Sequence, residues 1–166
     1  SMAALIGFDR NQLDLLVKET DDLVIANDNS SSQVVLSGSE EALISISEQI
    51  SCKRFLKLNV SGAFHSPFMK EASIKFSEYL DNVNFNKPLT PVISNSNPSL
   101  CNDPSELKVR LKNQMCNGVR WREGGEIIRT IISVKLNDCT TISHFQRGDV
   151  EIPIAVKVRK TQASCV

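Results

Sequence analysis

Within the first sixty residues the hydrophobic pattern switches repeatedly between strand and helix periods. The order of those switches narrows the fold more than any other feature of the chain. Residues 3–6 form an apolar run, whereas 11–19 place Leu13, Leu16 and Val17 along one helical face. Two short strands, 23–26 and 33–37, flank a polar turn at 28–32. Ser39 then caps a helix with Glu40 and Glu41 in its first turn, where acids suit the helix dipole. Ala42, Leu43, Ile46 and Ile50 make that helix's buried stripe, and a strand at 53–60 closes the unit. Strand–helix–strand–strand–helix–strand is the order of a ferredoxin-like, split βαβ module. The expected fold class is α/β of the α+β kind, with residues 1–62 as a small ferredoxin-like subdomain.

The next stretch, Val60-Ser61-Gly62-Ala63-Phe64-His65-Ser66-Pro67-Phe68-Met69, carries the candidate chemistry. Gly62 ends the strand. Ser66-Pro67 reads as an N-cap followed by proline at the first helical position, where a missing N–H costs nothing. The helix continues through Ala72, Ile74, Phe76, Tyr79 and Leu80. His65 is thus expected just outside a helix start, a rigid mount for a general base. Position alone leaves open the other reading, a polar surface residue in a turn. Further on, 91–95 reads as a strand and Asp103-Pro104 as a helix start, with two helices to follow.

Bulk properties exclude some classes. Nineteen basic residues balance nineteen acidic ones, and they are scattered. A nucleic-acid or anionic-membrane surface requires a concentrated basic face, so neither is an expected partner. No apolar run approaches the roughly 18 residues that cross a bilayer. No signal-peptide pattern is present either, so cytoplasm or an organelle stroma is the expected location. The five cysteines, Cys52, Cys101, Cys116, Cys139 and Cys165, have wide, irregular spacing that matches neither a disulfide framework nor a zinc site. Free thiols and no metal are expected; Cys139 and His144, five apart, make a poor metal pair.

Five blocks, in order over residues 1–123, resemble the malonyl-CoA:acyl-carrier-protein transacylases of the acyltransferase family. Gly62-Ala63-Phe64-His65-Ser66 with Met69 is similar to the family's histidine motif. Met2-Ala3-Ala4-Leu5-Ile6-Gly7 resembles the strand opening its small subdomain. Ala26-Asn27-Asp28-Asn29 through Gln33-Val34-Val35-Leu36-Ser37-Gly38 resembles its A-N-x-N-x-P-G-Q-V-V-I-S-G segment, with Ser31-Ser32 in place of Pro-Gly. Lys87-Pro88 with Pro91–Asn95, and Gln114-Met115 with Val119-Arg120-Trp121-Arg122-Glu123, complete the match.

The resemblance implies covalent malonyl transfer from malonyl-CoA to acyl carrier protein without a cofactor. His65 would be the base, held by a backbone carbonyl at Gln114 rather than by an aspartate. Gln114 is otherwise a helix-surface glutamine. Phe64 would favour malonyl over methylmalonyl by crowding the α-carbon, or it simply anchors the turn. Asn27 and Asn29 match asparagines near the family's active-site mouth, though asparagine is common in turns for its own reasons. Residues 63–123 would form the His-bearing return segment of the family's α/β-hydrolase-like large domain. Val109, Leu111, Met115 and Trp121 would face that domain's core.

The family's nucleophile stands in a G-x-S-x-G elbow, and no such pattern occurs in the 166 residues. Its carboxylate-binding arginine helix and glutamine-bearing oxyanion segment are missing as well. The expectation is a partial transacylase, inactive or nearly so alone, whose nucleophile-bearing half would be a partner. Two alternatives stand beside it: a non-catalytic module that binds acidic acyl carrier protein through Lys53, Arg54 and Lys57, or a truncated product without function. Gly124-Gly125-Glu126 is expected to interrupt the helical pattern, and residues 124–166 form an unmatched tail. There Val150, Ile152, Ile154, Val156 and Val158 alternate like a half-buried strand, which Pro153 demotes to an edge.

Overall fold

In this computed structural model, four strands form an antiparallel sheet in the order β2-β3-β1-β4. They are β1 (Met2–Phe8), β2 (Leu23–Ser30), β3 (Gln33–Gly38) and β4 (Cys52–Lys57). Helix α1 (Arg10–Glu19) links β1 to β2, and α2 (Glu40–Gln49) links β3 to β4. This is the split βαβ order expected from the hydrophobic periods. The structure describes residues 1–136, 144–147 and 150–153. The chain divides into two compact units, Ser1–Gly125 and Glu126–Val166.

β1 is central because it is apolar on both faces. Ala3 and Leu5 enter the core opposite Leu36 and Val34 of β3, while Met2 and Ala4 are buried on the other side. Leu13 of α1 and Ala42, Leu43 and Ile46 of α2 cover the core face, with Ile50 closing it. Each large side chain buried here contributes about 1.5–3 kcal/mol. Both helices start on a side-chain cap: Asp9 accepts from the Gln12 N–H at 2.8 Å, and Ser39 from the Ala42 N–H at 3.1 Å.

Two strand ends differ from expectation. β2 runs through the polar Asn27–Ser30 stretch, leaving only Ser31-Ser32 as the turn. It does so with register shifts between Ile25 and Asn27 and between Asp28 and Ser30. β4 stops at Lys57 instead of continuing to residue 60, because its partner β1 begins at Met2. The last link is the Leu58 N–H to the Met2 carbonyl at 2.9 Å.

Beyond the sheet come a 3₁₀ turn (Pro67–Met69), α3 (Lys70–Asp81), β5 (Val92–Ile93), β6 (Leu100–Cys101), α4 (Pro104–Asn113) and α5 (Trp121–Leu136). Asp103 caps α4, accepting from the Glu106 N–H at 2.7 Å, with Pro104 at the first position as anticipated. α3 and α4 pack together; the Ser73 hydroxyl donates to the Lys112 carbonyl at 3.3 Å, and Lys112 pairs with Asp81. The expected strand at 91–95 is reduced to two residues paired with β6 in a hairpin. Gly124-Gly125 does not interrupt the helix: α5 passes through both, and the Gly124 N–H bonds the Arg120 carbonyl at 3.0 Å. Ile127, Ile128, Ile131 and Ile132 repeat at helical spacing just beyond, so the apolar pattern of a helix resumes past the two glycines, each of which costs a helix roughly 1 kcal/mol.

In the second unit β7 (His144–Arg147) pairs antiparallel with β8 (Val150–Pro153). Pro153 ends a strand in a two-stranded ribbon, where each strand is an edge. Cys139, Ile154, Val156 and Val158 lie outside the described residues. Among the described residues no helix is long and apolar enough to cross a membrane.

Candidate active site

The His65 turn is built by Ser66. Its hydroxyl donates to the Ala63 carbonyl at 2.5 Å and accepts from the Phe68 N–H at 3.3 Å. The Met69 N–H closes the 3₁₀ turn on the Ser66 carbonyl at 3.0 Å. Ser66 is buried despite being polar, because its hydroxyl is satisfied on both sides. This turn forces His65 to φ 57°. A left-handed residue with a Cβ costs about 1–2 kcal/mol, and such strain collects where surroundings over-determine the backbone.

The His65 ring is half-buried, and its Nδ1 lies 2.9 Å from the Gln114 carbonyl oxygen. Gln114 is the C-cap of α4, so its carbonyl belongs to the end of a helix that lacks internal partners and carries the negative pole. A carbonyl can only accept, so Nδ1 donates. In the neutral ring that leaves Nε2 without a hydrogen, able to take a proton from a third group. His65 and Gln114, 49 positions apart, are thereby brought together.

Phe64 is exposed beside the histidine, as is Phe68. A cleft of about 290 Å³ opens along this turn between Val24, Ser37, Ser66 and Phe68. The Ser37 hydroxyl beneath it is fully buried, without a hydrogen-bond partner among the described residues.

Asn27 and Asn29 stand on β2, half-buried, and no hydrogen bond links either side chain to His65. Their element is nevertheless tied to the Gln114 region through Val119. The Val119 N–H donates to the Ala26 carbonyl at 2.7 Å, and the Asp28 N–H to the Val119 carbonyl at 2.8 Å, a short parallel bridge. Gly118 permits this approach, since a Cβ there would stand 2.5 Å from the Ile25 carbonyl oxygen.

Between the two asparagines lies Asp28, which sequence reasoning passed over. Its carboxylate is held by Arg122 at 2.9 Å and Arg10 at 3.2 Å. Burial alone would raise its pKa; hydrogen bonds and charge from Arg122 and Arg10 outweigh that and hold it below the usual carboxylate range. Nothing in the local sequence announced this. An aspartate between asparagines reads as turn, and Arg122 lies 94 positions away.

Over 122 residues the chain is 43% identical to the malonyl CoA-acyl carrier protein transacylase of Synechocystis sp., an alignment covering 74% of this chain and 42% of that protein. The crystal structure of the Synechocystis enzyme superposes with a TM-score of 0.76 at 41% identity, covering 78% of this chain and 44% of that one. About three quarters of this chain is homologous to part of the malonyl CoA-acyl carrier protein transacylases. It spans less than half the length of these relatives, and no family model matches it. A transacylase solved with its type II polyketide-synthase acyl-carrier protein is also similar, with a TM-score of 0.72 at 31% identity over 78% of this chain and 44% of that one.

Within this transacylase homologue, Ser31-Ser32 closes the β2–β3 hairpin in place of Pro-Gly. The Ser32 carbonyl accepts from the Gly7 N–H at 2.8 Å, so the turn is anchored to β1. Lys53, Arg54 and Lys57 are exposed on β4, an edge strand of the sheet, with Lys57 paired to Glu40. Val109 and Trp121 are exposed, and Leu111 and Met115 half-buried.

Proposed function

We propose that this chain supplies the base side of a malonyl-transfer site, with His65 as general base and the serine nucleophile contributed from outside the present sequence. The observation that carries the reading is the 2.9 Å bond from His65 Nδ1 to the Gln114 carbonyl. It leaves Nε2 as the acceptor in a transacylase homologue that contains no G-x-S-x-G. Nε2 takes the serine proton as the serine oxygen attacks the malonyl thioester carbon. The C–S bond breaks and the proton passes to the departing CoA sulfur. In the second half-reaction a carrier-protein phosphopantetheine thiol gives its proton to Nε2 and its sulfur attacks the malonyl ester. The serine oxygen leaves with that proton. No cofactor is required. Phe64 stands against a branched α-carbon, and Asn27 and Asn29 flank the approach from β2. In this reading residues 1–62 are the small subdomain and 63–123 the return segment of the larger one.

The test is complementation. The chain is mixed with a serine-bearing N-terminal portion of the Synechocystis relative, and malonyl transfer from malonyl-CoA to holo-acyl carrier protein is followed. Transfer is expected only in the mixture, falling roughly 10²- to 10⁴-fold with His65→Ala. A cleanly folded but inert mixture contradicts the reading. So does a malonyl adduct on the chain alone, seen by intact mass, because it would place a nucleophile within these 166 residues.

A second reading, a non-catalytic carrier-protein-binding module, rests on Lys53 and Arg54 exposed together on edge strand β4. It requires salt-sensitive association with acyl carrier protein that disappears in Lys53→Glu/Arg54→Glu. No association at low ionic strength removes it.

A further inference from the structure

The His65–Gln114 bond depends on where residue 114 is held, and that is settled elsewhere in the fold. Gln114 ends α4, and only residues 115–118 separate it from Val119, which is bridged to β2. That bridge is weak by itself: two hydrogen bonds on an edge strand, placed between two register shifts of β2. A second attachment lies three residues on, where Arg122 reaches back to the Asp28 carboxylate. Asp28 therefore grips the 119–122 segment twice, with its backbone N–H on Val119 and its carboxylate on Arg122. Arg10, at the start of α1, braces the same carboxylate from the module side.

We infer that Asp28 is a positioning residue for His65: by fastening Val119 and Arg122 to β2 it fixes the 114–119 link whose Gln114 carbonyl selects the imidazole tautomer. This inference rests on the base reading of His65 and adds a residue to it that touches neither substrate nor imidazole. α4 is also held from its other side, through Ser73 to Lys112. The effect of losing Asp28 is accordingly a loosened carbonyl, not a displaced helix.

The experiment is ¹⁵N NMR of the two ring nitrogens of His65 in the full chain, above the pH at which the ring is protonated. Wild type, Asp28→Asn, Arg122→Gln and the control Asp14→Asn are compared. Asp14→Asn removes only the exposed i,i+4 partner of Arg10. Wild type is expected to carry its proton on Nδ1. In Asp28→Asn and Arg122→Gln the ratio of Nδ1–H to Nε2–H should fall at least roughly twofold, the scale of coupling between linked sites. Asp14→Asn should match wild type. A purely structural role for Asp28 would lower stability and leave this ratio alone, and an unchanged ratio in the folded variants overturns the inference while the base reading stands. A wild-type ring protonated on Nε2 overturns the base reading itself. Arg122→Gln keeps the test decisive if Asp28→Asn fails to fold, since it alters the same contact from a more exposed side chain.

Discussion

The four-stranded module and the stretch from Ala63 to Gly125 are similar in length but are finished differently. In the module, apolar residues of β1, β3, α1 and α2 meet in one core, and Leu5, Leu13, Leu36 and Ile46 are wholly buried. In the second stretch Leu80 and Val119 are buried, but Ile74, Tyr79, Leu89, Val109 and Trp121 face outward. The module gathers its apolar residues into one core and leaves Leu15, Ile44, Leu56 and Val60 exposed, whereas the second stretch exposes more and presents apolar surface of the kind that covers a partner. His65 and Gln114 both belong to the open stretch, and Asp28 ties that stretch to the closed one. The candidate site is therefore carried by the part of the chain least able to stabilise itself.

The sharpest way to break this comparison is to open the module's core. Leu5→Ala should cost about 2–5 kcal/mol in urea unfolding, a large share of the 5–15 kcal/mol typical of a domain. Backbone amides of β1 and β3 should then exchange faster throughout, because their protection reports global opening. If exchange rises only locally, the module's core does not open as one unit.

Next in size is Asp28→Asn, which should cost about 1.5–3 kcal/mol at neutral pH, the range for a hydrogen bond to a charged group. Because the folded Asp28 pKa is depressed by its arginines, its contribution is present above the unfolded carboxylate value of about 3.9. It is lost as pH falls through the lower folded value. The stability gap between wild type and variant should hold from pH 7 to 5 and close below about 4. A gap constant down to pH 2.5 would mean that the ion pairs do not stabilise the fold.

The caps give a finer comparison. Ser39→Ala in the module and Asp103→Ala in the open stretch each remove one helix-start hydrogen bond, worth about 1 kcal/mol. The loss at Ser39 should appear as a lower global unfolding midpoint. The loss at Asp103 should appear first as faster exchange within α4. Equal responses from the two would erase the distinction between closed and open regions.

What could be read from sequence follows the range of the interactions. The caps Ser39, Ser66 and Asp103, the stripe through Ala42, Leu43, Ile46 and Ile50, and the strand–helix order of the module are local patterns, and each was legible. The contact of His65 with the Gln114 carbonyl was legible through their motifs. The hidden features needed partners far along the chain or irregular backbone. β2 extends through Asn27–Ser30 because β3 and Val119 give those polar residues hydrogen-bond partners. Asp28 matters because of Arg122. Arg110 is buried because its guanidinium donates to the Asn97 and Ser99 carbonyls at 3.1 and 2.7 Å and so staples the β5–β6 loop. Gly124 and Gly125, which by themselves suggest a break, lie inside a helix whose apolar pattern resumes beyond them.

The smallest effect on stability is expected where the open stretch is most exposed, and it separates exposure from instability. Ile74 and Tyr79 lie on the outer side of α3, with 52% and 77% of their surface accessible, whereas Leu80 on the same helix is buried. Replacing both with serine removes little packing, so each change should move stability by no more than about 0.5 kcal/mol. The same pair should lower self-association in sedimentation at high concentration, because exposed apolar surface drives it. A Leu80→Ser variant should do the reverse, losing stability without becoming more soluble. If Ile74→Ser/Tyr79→Ser instead destabilises the fold as much as Leu80→Ser, α3 is covered on both sides in solution. The open stretch would then already have found its partner in a second copy of the chain.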